Sequence, residues 1–398
     1  MLAVVVWAGA AALLLRTAVP GDLALPALDP GDLFPAGFLE RVDRFRAVTR
    51  ALWAGSVAVQ LVVLTAFAWR ARPLSGRIAT RARGPIRTGL ALALAAVAAT
   101  WVATLPLGAV RHWWNRRYDL SRQGWDGWLA DRAIGVGVRA LLVAIAVAGA
   151  LWLAGRLGPR WWVAGAPALV TVAALYVLVQ PLVVQPLFNR FQPLPDRALA
   201  TEVRRLGERI GVNVETVQVA DASRRTTTPN AYVAGLGPTR RVVFYDTILD
   251  GRFRDSELAS VAAHELAHVA RRHVWKGVAW FGLLAVPGLA LVAWATERRG
   301  GLRDPALVPL GLLVALAVSL VTLPVQNAVS RRYEAEADWI ALRATGDPDA
   351  SIGLDRRLAL SSLGDPEPPG WARIVLSTHP PAVARIAMAE AYRERLGR

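Results

Sequence analysis

Apolar residues in this chain gather into long uninterrupted runs. Seven of them, at 2–15, 51–69, 88–110, 141–157, 161–184, 274–295 and 306–325, are nearly free of charge. About 20 apolar residues in α-helix cross the hydrocarbon layer of a bilayer, so each run predicts a membrane helix. The first is short and is closed by Arg16; it lacks the basic start of a signal peptide and is read as a crossing. Trp69, Trp113, Trp114, Trp161, Trp162 and Trp275 stand at the ends of runs, where indole rings favour the headgroup layer.

Two polar segments remain, 185–273 and 326–398. They divide the chain into N-terminal membrane helices (1–184), a first catalytic segment (185–273), a two-span hairpin (274–325) and a second catalytic segment (326–398). Within the first segment, helical spacing covers Arg197–Ile210 and alternation predicts strands at Thr216–Ala220, 231–236 and Arg241–Tyr245. Gly237, Pro238 and Thr239 predict a hairpin turn between the last two. A helix capped by Asp255 or Ser256 then runs on into the sixth apolar run. The two polar segments are expected to pack on each other at one membrane face.

Composition sharpens this. The 398 residues are 54% hydrophobic and 19% charged, with a mean hydropathy of +0.35; soluble domains hold roughly a quarter charged residues. There is no cysteine, which removes disulfides, thiolate metal ligands and cysteine nucleophiles. The net charge of +16 is almost all arginine. Arg70, Arg72, Arg77, Arg81, Arg83 and Arg87 lie between two apolar runs, and Arg271 and Arg272 precede another. That placement fits anionic lipid headgroups and not nucleic acid, which calls for basic and aromatic residues on a soluble module.

The chemistry is carried by His264-Glu265-Leu266-Ala267-His268. Residues four apart share a helix face, so the two imidazoles can hold one metal ion, while Glu265 sits about 100° round the helix as a base for water. Such a site needs a third ligand. His273 is one residue short of the position that a third histidine occupies in extended zinc motifs. Glu297 and Asp304 lie beyond a 22-residue run, about 33 Å of helix, and emerge on the far side. The chain returns at 326, and Glu334, Glu336 and Asp338 follow. Glu334 and Asp338 share a face and Glu336 points away. One of the pair is the ligand and the other orients a histidine; spacing leaves the order open.

These residues resemble the integral-membrane zinc metalloproteases of the type I CAAX prenyl endopeptidase family, whose superfamily includes the shorter heat-shock protease HtpX. The family pattern of H-E-x-x-H, a two-span hairpin and N-x-x-S-R-x-x-E-x-x-A-D is met by Asn327, Ser330, Arg331, Glu334, Ala337 and Asp338. The resemblance implies a mainly α, polytopic protein of about seven transmembrane helices with a small α+β, gluzincin-like catalytic domain at one membrane face. It makes Glu334 the third ligand of one zinc ion, with Asp338, Asn327 and Arg331 around it. Asn230-Ala231-Tyr232, followed by 243–247, resembles a stretch bordering the cleft, where a peptide adds as a strand. His379-Pro380-Pro381 with Arg385 resembles a late stretch whose histidine stabilises an oxyanion; Arg385 is grouped with the substrate-binding residues.

The expected activity is zinc-dependent hydrolysis of peptide bonds in lipidated or membrane-associated substrates. A quality-control protease of HtpX type is the alternative with the same chemistry. A metal-binding transporter or receptor is the alternative from another class, disfavoured by run interiors nearly free of ionisable residues. The arginines between the second and third runs would place the site outside the cell; the resemblance implies a cytoplasmic catalytic face, which is the reading adopted.

Overall fold

Long apolar runs leave a backbone no partner but itself, so they fold as helices. In the computed structural model, which describes residues 2–82, 84–235 and 240–397, fourteen α-helices and four strands are seen among the described residues. The helices are α1 (Leu2–Leu14), α2 (Pro30–Leu33), α3 (Ala36–Trp69), α4 (Ala71–Ala82), α5 (Pro85–Arg117), α6 (Trp125–Leu157), α7 (Trp161–Val179), α8 (Arg197–Ile210), α9 (Asp255–Ala270), α10 (His273–Glu297), α11 (Val308–Thr345), α12 (Pro348–Ser362), α13 (Gly370–Val375) and α14 (Ala382–Leu396).

Among the described residues, five stretches are long and apolar enough to cross a membrane: Ala36–Trp69, Pro85–Arg117, Trp125–Leu187, His273–Glu297 and Pro305–Thr345. The third holds 63 residues, about 95 Å as one straight helix. It reverses at Gly158, whose φ of 60° with ψ of −139° suits only a residue without Cβ, and α6 and α7 pack on each other across that turn. The first run does not match the expected crossing. It forms a helix of 13 residues, about 20 Å long and short of the hydrocarbon thickness. Val62 and Val321 are 68% and 78% exposed, the outward apolar surface that a lipid-facing bundle presents. Trp161, expected at the headgroup layer, is instead buried among Ala93, Leu151 and Val292. The arginine-rich link after α3 is not a loop; it winds into α4. Of its arginines, Arg83 and the side chain of Arg81 lie outside the described residues.

The polar segments form one unit. Strands β1 (Phe191–Pro193), β2 (Thr216–Ala220), β3 (Ala231–Ala234) and β4 (Arg241–Tyr245) make a sheet in the order β1-β2-β4-β3, parallel only between β2 and β4. β3 and β4 pair antiparallel as the expected hairpin requires; the turn at Gly237–Thr239 lies outside the described residues. Helix α8 begins where the Asp196 side chain accepts from the amides of Ala198 and Leu199, a capping arrangement that satisfies free helix N–H groups. Its buried face, including Val203 and Leu206, packs on α9 with Leu258, Ala262 and Leu266, and Ala341, Ala344 and Leu354 close the core from the second polar segment.

Two expectations for α9 are corrected. Its N-cap is Arg254, and Asp255 lies in the first turn. The Glu257 carboxylate folds back to accept from the Arg254 amide (2.9 Å), which fixes the start one residue early. Nor does α9 continue into the sixth run. It stops at Ala270, and Arg272 adopts a left-handed φ of 54° before α10 starts.

Candidate metal centre

Helix α9 presents His264 and His268 on one face, and α11 continues past the membrane to lay Glu334 against them. The ligating atoms of the three residues lie within 4.8 Å of one another. His264 Nε2 and His268 Nε2 are 3.1 Å apart, Glu334 Oε2 is 3.3 Å from His264 Nε2, and Glu334 Oε1 is 3.6 Å from His268 Nε2.

This cluster fits a metal ion on three grounds. First, His264 Nδ1 lies 2.7 Å from Asp338 Oδ1; the carboxylate accepts the Nδ1 proton and leaves a lone pair on Nε2, facing His268. Two ligand nitrogens about 2.0–2.1 Å from a tetrahedral zinc stand about 3.3 Å apart, close to the spacing seen. Second, Glu334 Oε2 is buried with no hydrogen-bond partner although two imidazoles lie within reach. Buried acceptors are normally satisfied, and this one points to where a cation belongs. Third, the donors are two imidazoles and a carboxylate, a set borne by catalytic zinc sites. Burial opposes a charge on His264, yet Asp338 and Glu334 outweigh it and raise its pKa to about 10, so the surroundings of this ring favour positive charge.

Behind His264 stands a closed ion network. Asp338 accepts from Arg385 Nε (2.9 Å) and Nη2 (2.6 Å), and Arg385 Nη1 reaches Asp355 at 2.8 Å. Arg385, grouped in the sequence with substrate-binding residues, is therefore engaged behind the histidine and does not face the cleft. Asp355 was missed; it lies on α12, far in sequence from either motif.

Glu265 opens on a cavity of about 480 Å³ shared with Asn230, Ala231, Tyr232 and His379. Burial raises the pKa of its carboxyl. His379 Nε2 is 3.2 Å from Glu334 Oε2, and its Nδ1 lies 2.9 Å from Thr378 Oγ1. Asn327 and Arg331 make no side-chain hydrogen bond or ion pair with the three clustered residues. Asn327 Nδ2 donates to the carbonyls of Ile374 and Val375, and Arg331 Nη1 to those of Arg373 and Ser377. They brace the strip of chain that delivers His379. β3 is the last strand of the sheet at this cleft. Asn230 gives its carbonyl to Tyr245 N and leaves its side chain in the cavity; Tyr232 donates to Gln185 Oε1 at 3.2 Å.

Glu336 does point away from Glu334, but not to solvent. It is fully buried beside His273. The only sequence signal was a third carboxylate two residues from each of the other two.

With this geometry in hand, comparison with known proteins gives a consistent picture. Residues 193–393 match the model of peptidase family M48. Residues 44–190 match that of the CAAX prenyl protease N-terminal region, five membrane helices. An uncharacterised metalloprotease, YhfN of Bacillus subtilis, is 29% identical over 301 residues, 73% of this chain and 70% of that one. A CAAX prenyl protease 1 homolog of Oryza sativa is 28% identical over 234 residues, 56% of this chain and 54% of that relative, so the matched region spans about half its length. The crystal structure of S. mikatae Ste24p has the same fold, with a TM-score of 0.77 at 18% identity over 97% of this chain and 96% of that one. The family match covers half the sequence and contains His264, Glu265, His268 and Glu334, and with apolar helices on either side of the first polar segment it follows that the chain belongs to peptidase family M48 and is a membrane metalloprotease.

Proposed function

We propose that this protein is a zinc-dependent endopeptidase that hydrolyses peptide bonds near the membrane surface in lipidated or membrane-associated substrates. The observation that carries the reading is the meeting of His264, His268 and Glu334 beside Glu265 in a cleft edged by β3. The three would hold zinc, which when bound acidifies a water and polarises a carbonyl. Glu265, its pKa raised by burial, accepts the proton of the attacking water and passes it to the leaving amine. His379 Nε2 donates to the oxyanion as it forms. The outer edge of β3 takes the substrate backbone as an added strand, and the Asn230 amide holds one substrate carbonyl. Asp338 keeps His264 in the tautomer that ligates through Nε2.

The substrate class rests on the surroundings. A largely apolar cavity of about 590 Å³ between α10 and α11 runs from His268 and Glu334 past Trp280, Phe281 and Leu284, and it suits a hydrocarbon chain or apolar side chains better than a solvated peptide. The name of the Oryza sativa relative, CAAX prenyl protease 1 homolog, points the same way. Quality-control proteolysis of the HtpX type would use the same centre, but no separate feature favours it. α6 and α7 each cross the bilayer, giving six full crossings, and the catalytic face is cytoplasmic.

The test is Glu265→Gln. Metal analysis of the purified chain should give one zinc in both forms, while cleavage of a farnesylated C-terminal peptide falls by at least about 10²–10⁴ in the variant. A variant that still cleaves at the native rate would sink the assignment.

A further inference from the structure

His268 has one nitrogen in the cleft and one behind it. Behind it, Nδ1 lies 2.9 Å from Nδ1 of His273, and His273 Nε2 lies 2.9 Å from Glu336 Oε2. Glu336 is fully buried and His273 nearly so. Glu336 Oε1 accepts from Arg271 Nε (2.7 Å) and from the backbone amide of Ala18 (2.7 Å), and Lys276 Nζ stands 3.6 Å from Oε2. The His273 ring stacks on Tyr333, with centroids 4.6 Å apart and planes 5° from parallel.

With His273 neutral, one distribution of protons satisfies the whole chain. A carboxylate held by two cations and an amide only accepts, so His273 carries its proton on Nε2. Neutral His273 then offers a lone pair on Nδ1. His268 must donate from Nδ1, which leaves its Nε2 lone pair aimed into the cleft. We infer that His273 and Glu336 are positioning residues that fix the tautomer and rotation of His268, and that the segment after α1 completes this relay through Ala18. The inference rests on reading His268 as a zinc ligand.

The two histidines are thus oriented differently. His264 meets a carboxylate directly; His268 meets one through a second imidazole. The cause lies in the backbone. Glu336 occupies the flank of α11 opposite Glu334, and it can serve His268 only because the chain reverses at Arg272 and brings His273 back beneath it. A left-handed residue other than glycine is strained, and such strain persists where the surrounding structure holds it. Here the holding contacts are the ion pairs of Glu336 with its neighbours on both sides of that turn, Arg271 and Lys276.

The experiment uses the full chain in detergent micelles and measures zinc affinity by competition with a chromogenic chelator, alongside kcat and KM for a peptide. His273→Phe keeps the stack on Tyr333 but offers no acceptor. His273→Asn places an amide oxygen where Nδ1 stood. The expected result is a 10–100-fold loss of zinc affinity for His273→Phe, as for other residues that orient metal ligands, with kcat lowered at saturating zinc and KM unchanged. His273→Asn should recover most of the loss. Zinc bound by His273→Phe as tightly as by the native chain, or His273→Asn falling as far as His273→Phe, overturns the inference. If His273→Phe does not fold, Glu336→Gln is read the same way: weaker zinc binding is expected, and native affinity overturns it. Ala18→Pro removes the amide donor and should weaken zinc several-fold; no change removes the N-terminal segment from the relay. A native chain that holds no stoichiometric zinc would instead defeat the proposed function, so the two failures are distinct.

Discussion

Asn327 and Arg331 show how a motif residue can matter without touching the chemistry. Together they donate to four carbonyls between Arg373 and Ser377, and through that strip they hold His379 3.2 Å from Glu334. Arg331→Ala should therefore lower kcat by roughly 10-fold, since misplacing a group by about 1 Å can cost as much as 100-fold, while zinc stoichiometry stays at one; atomic absorption beside initial rates checks both. Zinc lost together with activity would mean that Arg331 supports the ligands themselves. His264 and His268 could be read from spacing because a helix turns four residues into one face; Glu334 and Asp338 obey the same geometry, but the choice of Glu334 between them came from the family resemblance. His273 and Glu336 could not be read so. Their meeting depends on a left-handed turn at Arg272, and arginine carries no local signal for that conformation as glycine would. Arg385 was grouped with the substrate-binding residues through its place in the late H-P-P-x-x-x-R stretch, and only the fold shows Asp338 and Asp355 already occupying its guanidinium.

At the scale of elements, apolar runs located the helices well and their limits poorly. α3 starts at Ala36, fifteen residues before the expected crossing, because a helix need not end where the bilayer does. β2 and β4 fell on their expected residues, although β4 buries three residues in a row and does not alternate. β1 went unnoticed; three residues ending in Pro193 carry no periodicity. The start of α9 depends on a contact outside the helix: Glu257 is fully buried and accepts from both Arg254 and Arg357, tying α9 to α12. Gly353 of α12 passes over this group so closely that a Cβ there would stand 2.3 Å from Glu257 Oε1 and 2.6 Å from Arg254 Nη2. Gly353→Ala must push the buried carboxylate off its partners. The expected cost is about 1–3 kcal/mol, the usual range for overpacking. It should appear as a lower thermal midpoint of the detergent-solubilised protein, with zinc affinity unchanged at temperatures where the variant is folded. An alanine variant as stable as the native chain would show that α12 shifts freely and that this tie does not fix α9.

For the molecule as a whole, the sequence posed a conflict over which way the bundle faces. Arginines on and around α4 are many, and short-loop arginines stay in the cytoplasm. In the fold, α4 packs against the turn at Pro305–Leu307, which joins α10 to α11 at the end away from α9, so these arginines sit on the face opposite the metal centre. Yet the catalytic end is basic as well. Arg41, Arg46, Arg50, Arg116 and Arg117 lie near the ends of α3 and α5 on that side, where Arg46 Nε donates to Leu363 O and Arg50 pairs with Asp365. Charge counted along the sequence made one loop decisive; charge placed in the fold is divided between both faces and no longer contradicts a cytoplasmic site. The absence of cysteine makes the question directly measurable. Glu215 is exposed beside β2 on the catalytic unit, and Arg299 is exposed in the turn after α10 at the opposite end. Single variants Glu215→Cys and Arg299→Cys, treated in intact cells with a membrane-impermeant maleimide, should give label only on the second, and label on the first should require permeabilised cells. The reverse pattern would place the zinc centre outside the cytoplasm and would exclude, as native substrates, proteins lipidated and retained on the inner leaflet.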